Sequence, residues 1–141
     1  MKTIPKLFTK RVRAYTLTEI LVVLCIIGIL VLLALPNLLP LITKAKSTEA
    51  KIQLEYLQKL EKTYYFEHSK YTTDLAELGF IQEKLTTDSK DGHANYRIEV
   101  TEATTSGFTA KATSVVDFNS NGTMNVWQID QDKNLKEVTP D

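Results

Sequence analysis

The sequence predicts an α+β fold in which one long N-terminal helix packs on a small antiparallel sheet of three or four strands. Three observations support this prediction. An uncharged apolar run covers Ile20 to Leu35, a polar segment with helical periodicity follows Ile42, and short alternating segments begin after residue 95. With 141 residues, the chain has room for one soluble domain beside the apolar run.

The apolar run is long enough to span a bilayer. With residues 36–42 included it reaches about 23 residues, and a hydrocarbon core of about 30 Å requires about 20. It is longer than the apolar part of an ordinary secretory signal, and no A-x-A cleavage site follows it. We therefore expect a membrane segment that is retained in the mature protein.

Charge is distributed unevenly along the chain. Five basic residues lie before position 14, and the first acidic residue is Glu19. The positive-inside bias places this basic end in the cytoplasm and the rest of the chain outside. Without residues 1–14 the chain has 12 Lys and Arg against 17 Asp and Glu, a formal charge of −5. We therefore do not expect nucleic acid to be a partner, because phosphate binding needs clustered cations.

The polar segment continues the membrane segment as one helix. We expect it to run from about Thr16 to His68, over about 80 Å at 1.5 Å per residue. It should be bent or loosened at Pro36 and Pro40, which lack a backbone donor. A stripe with four-residue spacing is expected to pack on the sheet: Ile52, Tyr56, Leu60 and Tyr64.

The strands follow a connecting region. A short helical turn is expected at residues 74–78, ending at Gly79. Alternating apolar residues then predict strands around positions 96–100, 108–112, 125–129 and 135–138. A polar turn at residues 130–134 should join the last two strands as a hairpin.

Glu19 is the most informative residue for function. It stands at the start of the membrane segment, and that segment contains no basic residue to neutralise it. A charge at depth in a bilayer costs about 2.5–3.5 kcal/mol, so such residues usually serve a function. If the chain were cut shortly before Glu19, the new amino terminus of a neighbouring copy could pair with this carboxylate.

The run Ala14-Tyr15-Thr16-Leu17-Thr18-Glu19-Ile20-Leu21-Val22-Val23 resembles the cleavage and methylation motif of the type IV pilin and pseudopilin superfamily. This resemblance implies cleavage between Ala14 and Tyr15, N-methylation of Tyr15, and an assembly role for Glu19. Pro36 falls where pilins commonly break their helix. The family usually has Gly before the cut and Phe after it, where this chain has Ala and Tyr.

The resemblance also implies an organisation and a function. Residues 1–14 would be a cleaved basic leader, residues 15–42 an apolar assembly helix, and residues 43–141 an exported pilin-like domain. The chain would be a single-pass inner-membrane protein in bacteria and then a subunit of a pilus filament. Its partners would be further copies of itself, a prepilin peptidase and methyltransferase, an inner-membrane assembly platform and minor pilins.

Two alternatives remain open. The first is a pseudopilin of a type II secretion system, which would form a short periplasmic rod. The second alternative is a monomeric membrane-anchored binding domain. The aromatic-rich region 64–80 is similar to the helix exit of many pilins, and we expect its rings to seal the junction between helix and sheet.

No cofactor is required by this interpretation, but one loop resembles a calcium site. Asp117, Asn119, Asn121 and Gly122 match the first half of a D-x-[DN]-x-[DN]-G loop, which places oxygen ligands at alternate positions. The Glu expected six residues after the glycine is Gln128. A turn between strands is the simpler interpretation, and calcium remains the alternative.

The sequence does not indicate an enzyme. His68 and His93 are isolated, and no nucleophile, zinc or phosphate-loop motif is present. The single cysteine, Cys25, lies in the apolar run, where a cysteine usually acts as a small apolar residue.

Overall fold

The computed structural model describes residues 15–141. This part of the chain forms helix α1 (Leu17–His68) and then strands β1 (Tyr96–Ala103), β2 (Phe108–Ser114), β3 (Val126–Asp130) and β4 (Lys136–Thr139). Contacts divide the chain into two units, one ending at Pro36 and the other comprising Asn37–Asp141. Helix α1 continues through both Pro36 and Pro40.

The four strands form a single antiparallel sheet in which each strand pairs with the next along the chain. The order is β1-β2-β3-β4. Tyr96 in β1 lies opposite Ser114 in β2, and Ala112 in β2 lies opposite Trp127 in β3. The predicted α+β arrangement of one long helix and a small antiparallel sheet is confirmed, with four strands.

The core of the second unit lies between one face of the helix and one face of the sheet. Alternate residues of β1 and β2 are buried, as the period of two in their sequences predicts. They form one cluster with Ala50, Leu54 and Leu57 of α1, all fully buried. Burial of a leucine side chain contributes about 1.5–3 kcal/mol, so this helix face is a main source of the unit's stability.

The prediction that a stripe with four-residue spacing packs on the sheet is wrong for its first two residues. Ile52 is 64% exposed and Tyr56 is 50% exposed. Leu60 and Tyr64 are partly buried at the edge of the core. The core face instead combines small, apolar and polar side chains: Thr43, Ser47, Ala50, Leu54, Leu57, Gln58 and Glu61. Ala50, Leu54 and Leu57 also follow the i, i+4, i+7 spacing of one helix face, so apolar spacing alone did not decide between the two faces.

Glu49 connects the helix to the start of β1. Its carboxylate accepts hydrogen bonds from the backbone N–H and the side-chain amide of Asn95, both at 2.7 Å, and from the N–H of Tyr96 at 3.3 Å. Hydrogen bonds to a charged acceptor are stronger than neutral ones, so they fix the position of β1 along the helix.

Asn125 ties the sheet together from a fully buried position just before β3. It accepts a 2.7 Å hydrogen bond from the hydroxyl of Tyr96 in β1, and its backbone N–H donates to Ser114 Oγ of β2 at 3.0 Å. Its side-chain amide donates to Glu137 of β4 at 2.7 Å. Through its side chain and its backbone N–H, this one buried residue bonds to each of the other three strands, and a partnered polar residue of this kind specifies a unique packing.

The predicted turns are present. At residues 74–79 the chain makes a single turn in which the carboxylate of Asp74 accepts the N–H of Ala76 at 2.8 Å, and Gly79 follows with φ +70°. Between β3 and β4, Asp130 accepts the N–H groups of Asp132 and Asn134, each at 2.9 Å. Asp and Gly supply these turns with side-chain acceptors and a left-handed backbone.

Glu61 is a carboxylate inside the core. Its side chain has no exposed surface. One oxygen accepts the backbone N–H of Thr72 at 3.2 Å, and the other is buried without a hydrogen-bond partner. Burial raises the pKa of Glu61 to about 7, and the hydrogen bond from Thr72 opposes that rise. The folded protein therefore holds a proton on Glu61 at pH values where the unfolded chain releases it.

We expect this proton to make stability depend on pH. The pKa of Glu61 rises from 4.5 to about 7 on folding. The contribution of Glu61 to the free energy of unfolding should therefore be fully present below about pH 4.5 and be lost as pH rises to 7, with a slope approaching about 1.4 kcal/mol per pH unit for one proton. Urea unfolding of a fragment beginning at Thr43, which we expect to fold as a monomer, measures this dependence.

The matched pair of variants is Glu61→Gln and Glu67→Gln. Glu61→Gln keeps an oxygen for the N–H of Thr72 and should remove this component of the pH dependence, so that the variant gains stability relative to wild type as pH rises above 5. Glu67 is exposed on the same helix, and its substitution should leave the pH profile unchanged. If wild type and Glu61→Gln had identical pH profiles, Glu61 would not hold a proton in the folded state and this prediction would be wrong.

Candidate assembly segment at the start of the helix

The first turn of α1 forms a reciprocal hydrogen-bonded cap. The helix begins at Leu17. The carboxylate of Glu19 accepts the backbone N–H of Thr16 at 2.8 Å and its hydroxyl at 3.0 Å. The N–H of Glu19 donates back to the hydroxyl of Thr16 at 3.2 Å. This is a capping box, which satisfies backbone donors that the helix leaves free.

Sequence reasoning missed this role of Glu19. The signal was available, because Thr16-Leu17-Thr18-Glu19 has the T-x-x-E spacing of a capping box. A negative charge in the first turn also interacts favourably with the helix dipole. Within residues 15–141, no cation lies within ion-pairing distance of Glu19. The cap therefore uses the carboxylate as a hydrogen-bond acceptor and leaves its charge without an opposite charge among the described residues.

The apolar residues that follow Glu19 are exposed along their whole length. Within the part of the chain that the structure describes, α1 is the helix long and apolar enough to cross a membrane, and none of its most apolar 18-residue window is buried. Cys25 is exposed in the same segment. An apolar helix without protein cover requires lipid or other helices around it.

Only some of the residues predicted to act in processing and assembly lie in the part of the chain that the structure describes. Tyr15 precedes the helix and is exposed, and Pro36 lies within α1. Ala14 and the rest of the basic leader lie outside the described residues. Cleavage between Ala14 and Tyr15, methylation of Tyr15 and the assembly roles of Glu19 and Pro36 remain predictions.

The predicted calcium loop forms a turn closed by its own hydrogen bonds. The two oxygens of Asp117 accept backbone N–H groups of Asn121 at 3.2 Å and Gly122 at 2.7 Å. The side-chain oxygen of Asn119 shares the N–H of Asn121 with Asp117, and the side-chain oxygen of Asn121 accepts the N–H of Thr123. The backbone hydrogen bond from Gly122, and others from the same loop, lower the pKa of Asp117. All three predicted ligands are therefore already acceptors within the turn.

The oxygen ligands that this loop offers carry too little negative charge to favour a hard cation. Calcium takes six to eight oxygen ligands and is usually held by several carboxylates. Here Asp117 is the single carboxylate within the predicted ligand set, and Gln128 lies in β3, paired with Lys111 and Lys136 of the adjacent strands. Among residues 15–141, no three His, Cys, Asp or Glu side chains cluster as metal ligands. The geometry favours a structural turn, and calcium binding remains untested.

The aromatic residues around the end of α1 pack against one another and against the sheet. The ring of Tyr71 lies 4.8 Å from that of Tyr65 and 5.1 Å from that of Phe108 in β2. Tyr64 donates from its hydroxyl to Glu77 at 3.0 Å. Phe66 is the exception and is exposed. Most of this region therefore joins the helix to the sheet and the following loop, as expected.

A membrane-length apolar helix that continues into a helix packed on a four-stranded antiparallel sheet is the arrangement of the type IV pilins and pseudopilins. A sequence-family model agrees with this class. The model described as "Type IV minor pilin ComP, DNA uptake sequence receptor" matches residues 39–125, more than half of the chain. The chain belongs to this family of type IV pilins.

Two curated relatives come from different assemblies. The type IV major pilin protein PilA of Myxococcus xanthus (strain DK1622) is 36% identical over 77 residues, which cover 55% of this chain and 35% of that protein. The type II secretion system core protein G of Dickeya chrysanthemi is 36% identical over 78 residues, which cover 55% of this chain and 51% of that protein. The aligned part thus spans between a third and a half of the relatives' own lengths.

The closed turn at Asp117 leads to a test of calcium. Because its carboxylate already accepts two backbone N–H groups, we expect 1 mM calcium to leave the melting temperature of the fragment beginning at Thr43 unchanged. Asp117→Ala should lower it by several degrees with or without calcium, since those donors lose their acceptor. Differential scanning calorimetry measures both. A calcium-dependent rise in wild type that Asp117→Ala abolishes would instead establish the metal site.

Proposed function

We propose that this chain is a structural subunit of a type IV pilus-like filament and acts by assembly rather than catalysis. The observation that carries the proposal is the apolar helical segment after Glu19, which is exposed throughout in the protomer. The family match and the major pilin relative support it. In this proposal the partners are further copies of the chain, with a prepilin peptidase and methyltransferase, an inner-membrane platform and minor pilins acting during assembly.

The apolar segment suits two environments in succession. In the inner membrane, lipid tails surround the side chains while helical hydrogen bonds satisfy the backbone. In the filament, the same side chains pack against the helices of neighbouring copies. Exchange of lipid for protein contacts gains little from the hydrophobic effect, so association depends on close packing and on specific polar pairs. Glu19 is the residue that can supply such a pair.

Glu19 is proposed to pair with the amino terminus of the adjacent copy. Cleavage before Tyr15 would create an ammonium group at the depth of Glu19. Within one protomer the carboxylate is already engaged by Thr16. In a filament, a neighbouring ammonium would add an opposite charge in a water-poor setting, where Coulomb attraction is stronger than in water. That pair would fix the axial stagger of the copies.

A pseudopilin of type II secretion is the second candidate. The observation that favours it is the match to a type II secretion core protein at the same identity as the match to the major pilin. The two functions differ in location and in the consequence of deletion. A pilus subunit would be recovered in filaments sheared from the cell surface, whereas loss of a pseudopilin would leave secreted proteins in the periplasm.

DNA binding does not form part of the proposal, although the family description names a DNA uptake sequence receptor. Residues 15–141 carry a formal charge of −5. Duplex DNA is bound mainly through neutralisation of phosphates by Lys and Arg. Measurable binding of duplex DNA at physiological salt would favour the receptor role over a purely structural one.

Processing gives the first test of this function. We expect the exported chain to begin at Tyr15 with one added methyl group, because the basic leader ends beside the Tyr15-to-Glu19 motif. Mass spectrometry of the chain purified from membranes measures both features. An intact Met1, or cleavage after Ile42, would contradict the proposal.

Assembly gives the second test. Glu19→Gln keeps a capping acceptor and removes the charge, whereas Glu19→Val removes both. We expect both variants to insert normally and to reduce filament yield at least tenfold, because loss of one partner of a buried ion pair costs about 3–5 kcal/mol. The measurement is sheared filament yield at matched membrane levels of mature chain.

Thr16→Val is the matched control. It removes the hydroxyl from the capping box and leaves the Glu19 charge in place. Its filament yield should stay within about threefold of wild type. If Thr16→Val fails as badly as Glu19→Gln, the carboxylate acts through the helix cap. Normal filaments from Glu19→Gln would exclude pairing between copies.

A further inference from the structure

A cavity of about 240 Å³ lies beside α1, β3 and β4. All of its lining residues belong to the second unit, Asn37–Asp141. We call it the Trp127 cavity, after the chain's single tryptophan. Its charged and aromatic lining is formed by Lys44 and Lys51 of α1, Trp127 of β3, Glu137 of β4 and Asp141.

Charges of both signs line this cavity without pairing. Lys44 and Lys51 contribute two ammonium groups from the helix, and Glu137 and Asp141 contribute two carboxylates. Among residues 15–141, none of these four groups lies within ion-pairing distance of an opposite charge. A cavity lined in this way is complementary to a ligand that itself carries one negative and one positive group.

Two buried polar atoms of the lining have no hydrogen-bond partner among the described residues. They are Nε1 of Trp127, a donor, and Oδ1 of Asp141, an acceptor. The other oxygen of Asp141 accepts the backbone N–H of Phe118 at 2.8 Å. Buried polar groups are normally paired. A ligand with an acceptor for the indole N–H and a donor for the carboxylate would satisfy both atoms.

The ammonium of Lys51 is held at the cavity by the indole ring. Its Nζ lies 4.2 Å from the ring centroid of Trp127, a cation–π contact. Ser47 lies one turn before Lys51, is buried, and donates from its hydroxyl to the carbonyl of Lys44 at 2.9 Å. The hydroxyl oxygen of Ser47 therefore faces no competing demand as a donor, and the cation beside it is already positioned.

The depth of the cavity matches the lipid headgroups if the apolar run spans a bilayer. Ser47 lies five residues beyond Ile42, the end of that run, and thus about 7.5 Å further along the helix. The headgroup region is about 5–8 Å thick on each side of the hydrocarbon core. Side chains on a helix lean towards its N-terminus, so Lys51 leans back towards the membrane. Trp and Lys are both favourable at this level.

We propose that the Trp127 cavity binds the headgroup of an ethanolamine phospholipid while the chain is in the membrane. The inference rests on the membrane stage of the proposed function. The phosphate would accept hydrogen bonds from Lys44, Lys51 and the indole N–H, and the ammonium would donate to Glu137 and Asp141. A choline headgroup has no N–H to donate, and a glycerol headgroup has no positive charge. Ethanolamine therefore fits the two carboxylates best.

The test uses the full-length chain in nanodiscs that contain equal amounts of phosphatidylethanolamine, phosphatidylcholine and phosphatidylglycerol. Native mass spectrometry after removal of the bulk lipid counts the lipids that each chain retains. We expect one phosphatidylethanolamine per chain, retained roughly fivefold or more above each of the other two lipids. Equal retention of the three lipids would overturn the proposal.

A matched pair of variants separates the cavity from the general attraction of a basic surface. Lys51→Gln removes the cation that lies over Trp127 and should reduce retention roughly fivefold or more. Lys46→Gln removes an exposed cation from the same stretch of helix that does not line the cavity. Its retention should stay within about twofold of wild type. Equal losses in the two variants would show that no defined site holds the lipid.

Asp141→Asn tests the assignment of the ammonium. The variant keeps an acceptor for the N–H of Phe118 and removes one negative charge from the cavity. We expect the preference to reverse from phosphatidylethanolamine to the anionic phosphatidylglycerol. A variant that failed to fold would lose retention of both lipids, so a reversal reports on the site itself. An unchanged preference would contradict the proposed role of Asp141.

Two further measurements separate the lipid from other sources and this inference from the proposed function. Soluble phosphoethanolamine at 1 mM should not displace the retained lipid, and displacement of more than half would assign the cavity to a soluble ligand instead. If wild type forms filaments but retains no phosphatidylethanolamine, this inference fails and the proposed function stands. If the chain retains the lipid but forms no filament of any length, the proposed function fails and the headgroup site stands.

Discussion

Burial of one narrow face of α1 against the sheet holds the helix-and-sheet unit of this pilin together. Ala50, Leu54 and Leu57 are fully buried there in one cluster with the inward residues of the strands. Glu49 fixes the position of β1 along the helix through three hydrogen bonds. Because a helix can give the sheet only one face, the opposite face of the same helix stays free for other contacts.

The polar residues in the core specify a single arrangement. Asn125 bonds to groups of β1, β2 and β4 and lies in a position without solvent access. An apolar residue there would leave several buried groups without partners. Glu61 differs, because one of its oxygens has no partner in the described protomer. The helix-and-sheet unit therefore combines a network of satisfied hydrogen bonds with a carboxyl group whose protonated form favours folding.

The start of the helix shows how one residue can serve two functions. Glu19 closes a capping box with Thr16 in the protomer. Its charge remains without an opposite charge among residues 15–141. The cap requires only an acceptor, which glutamine also supplies, whereas pairing between copies requires the charge. This difference separates the stability of the helix from the proposed assembly of the filament.

The sequence by itself determined the element order, the four strands and the turns, because period-two alternation and Asp or Gly at turns are local signals. It also identified Glu19 through its charge in an apolar run. The tertiary structure decided which face of the helix meets the sheet. Ile52 and Tyr56 are exposed, whereas Ala50, Leu54, Leu57 and Glu61 are buried. Packing depends on shape and hydrogen-bond partners supplied by distant strands, and helical periodicity carries no information about either.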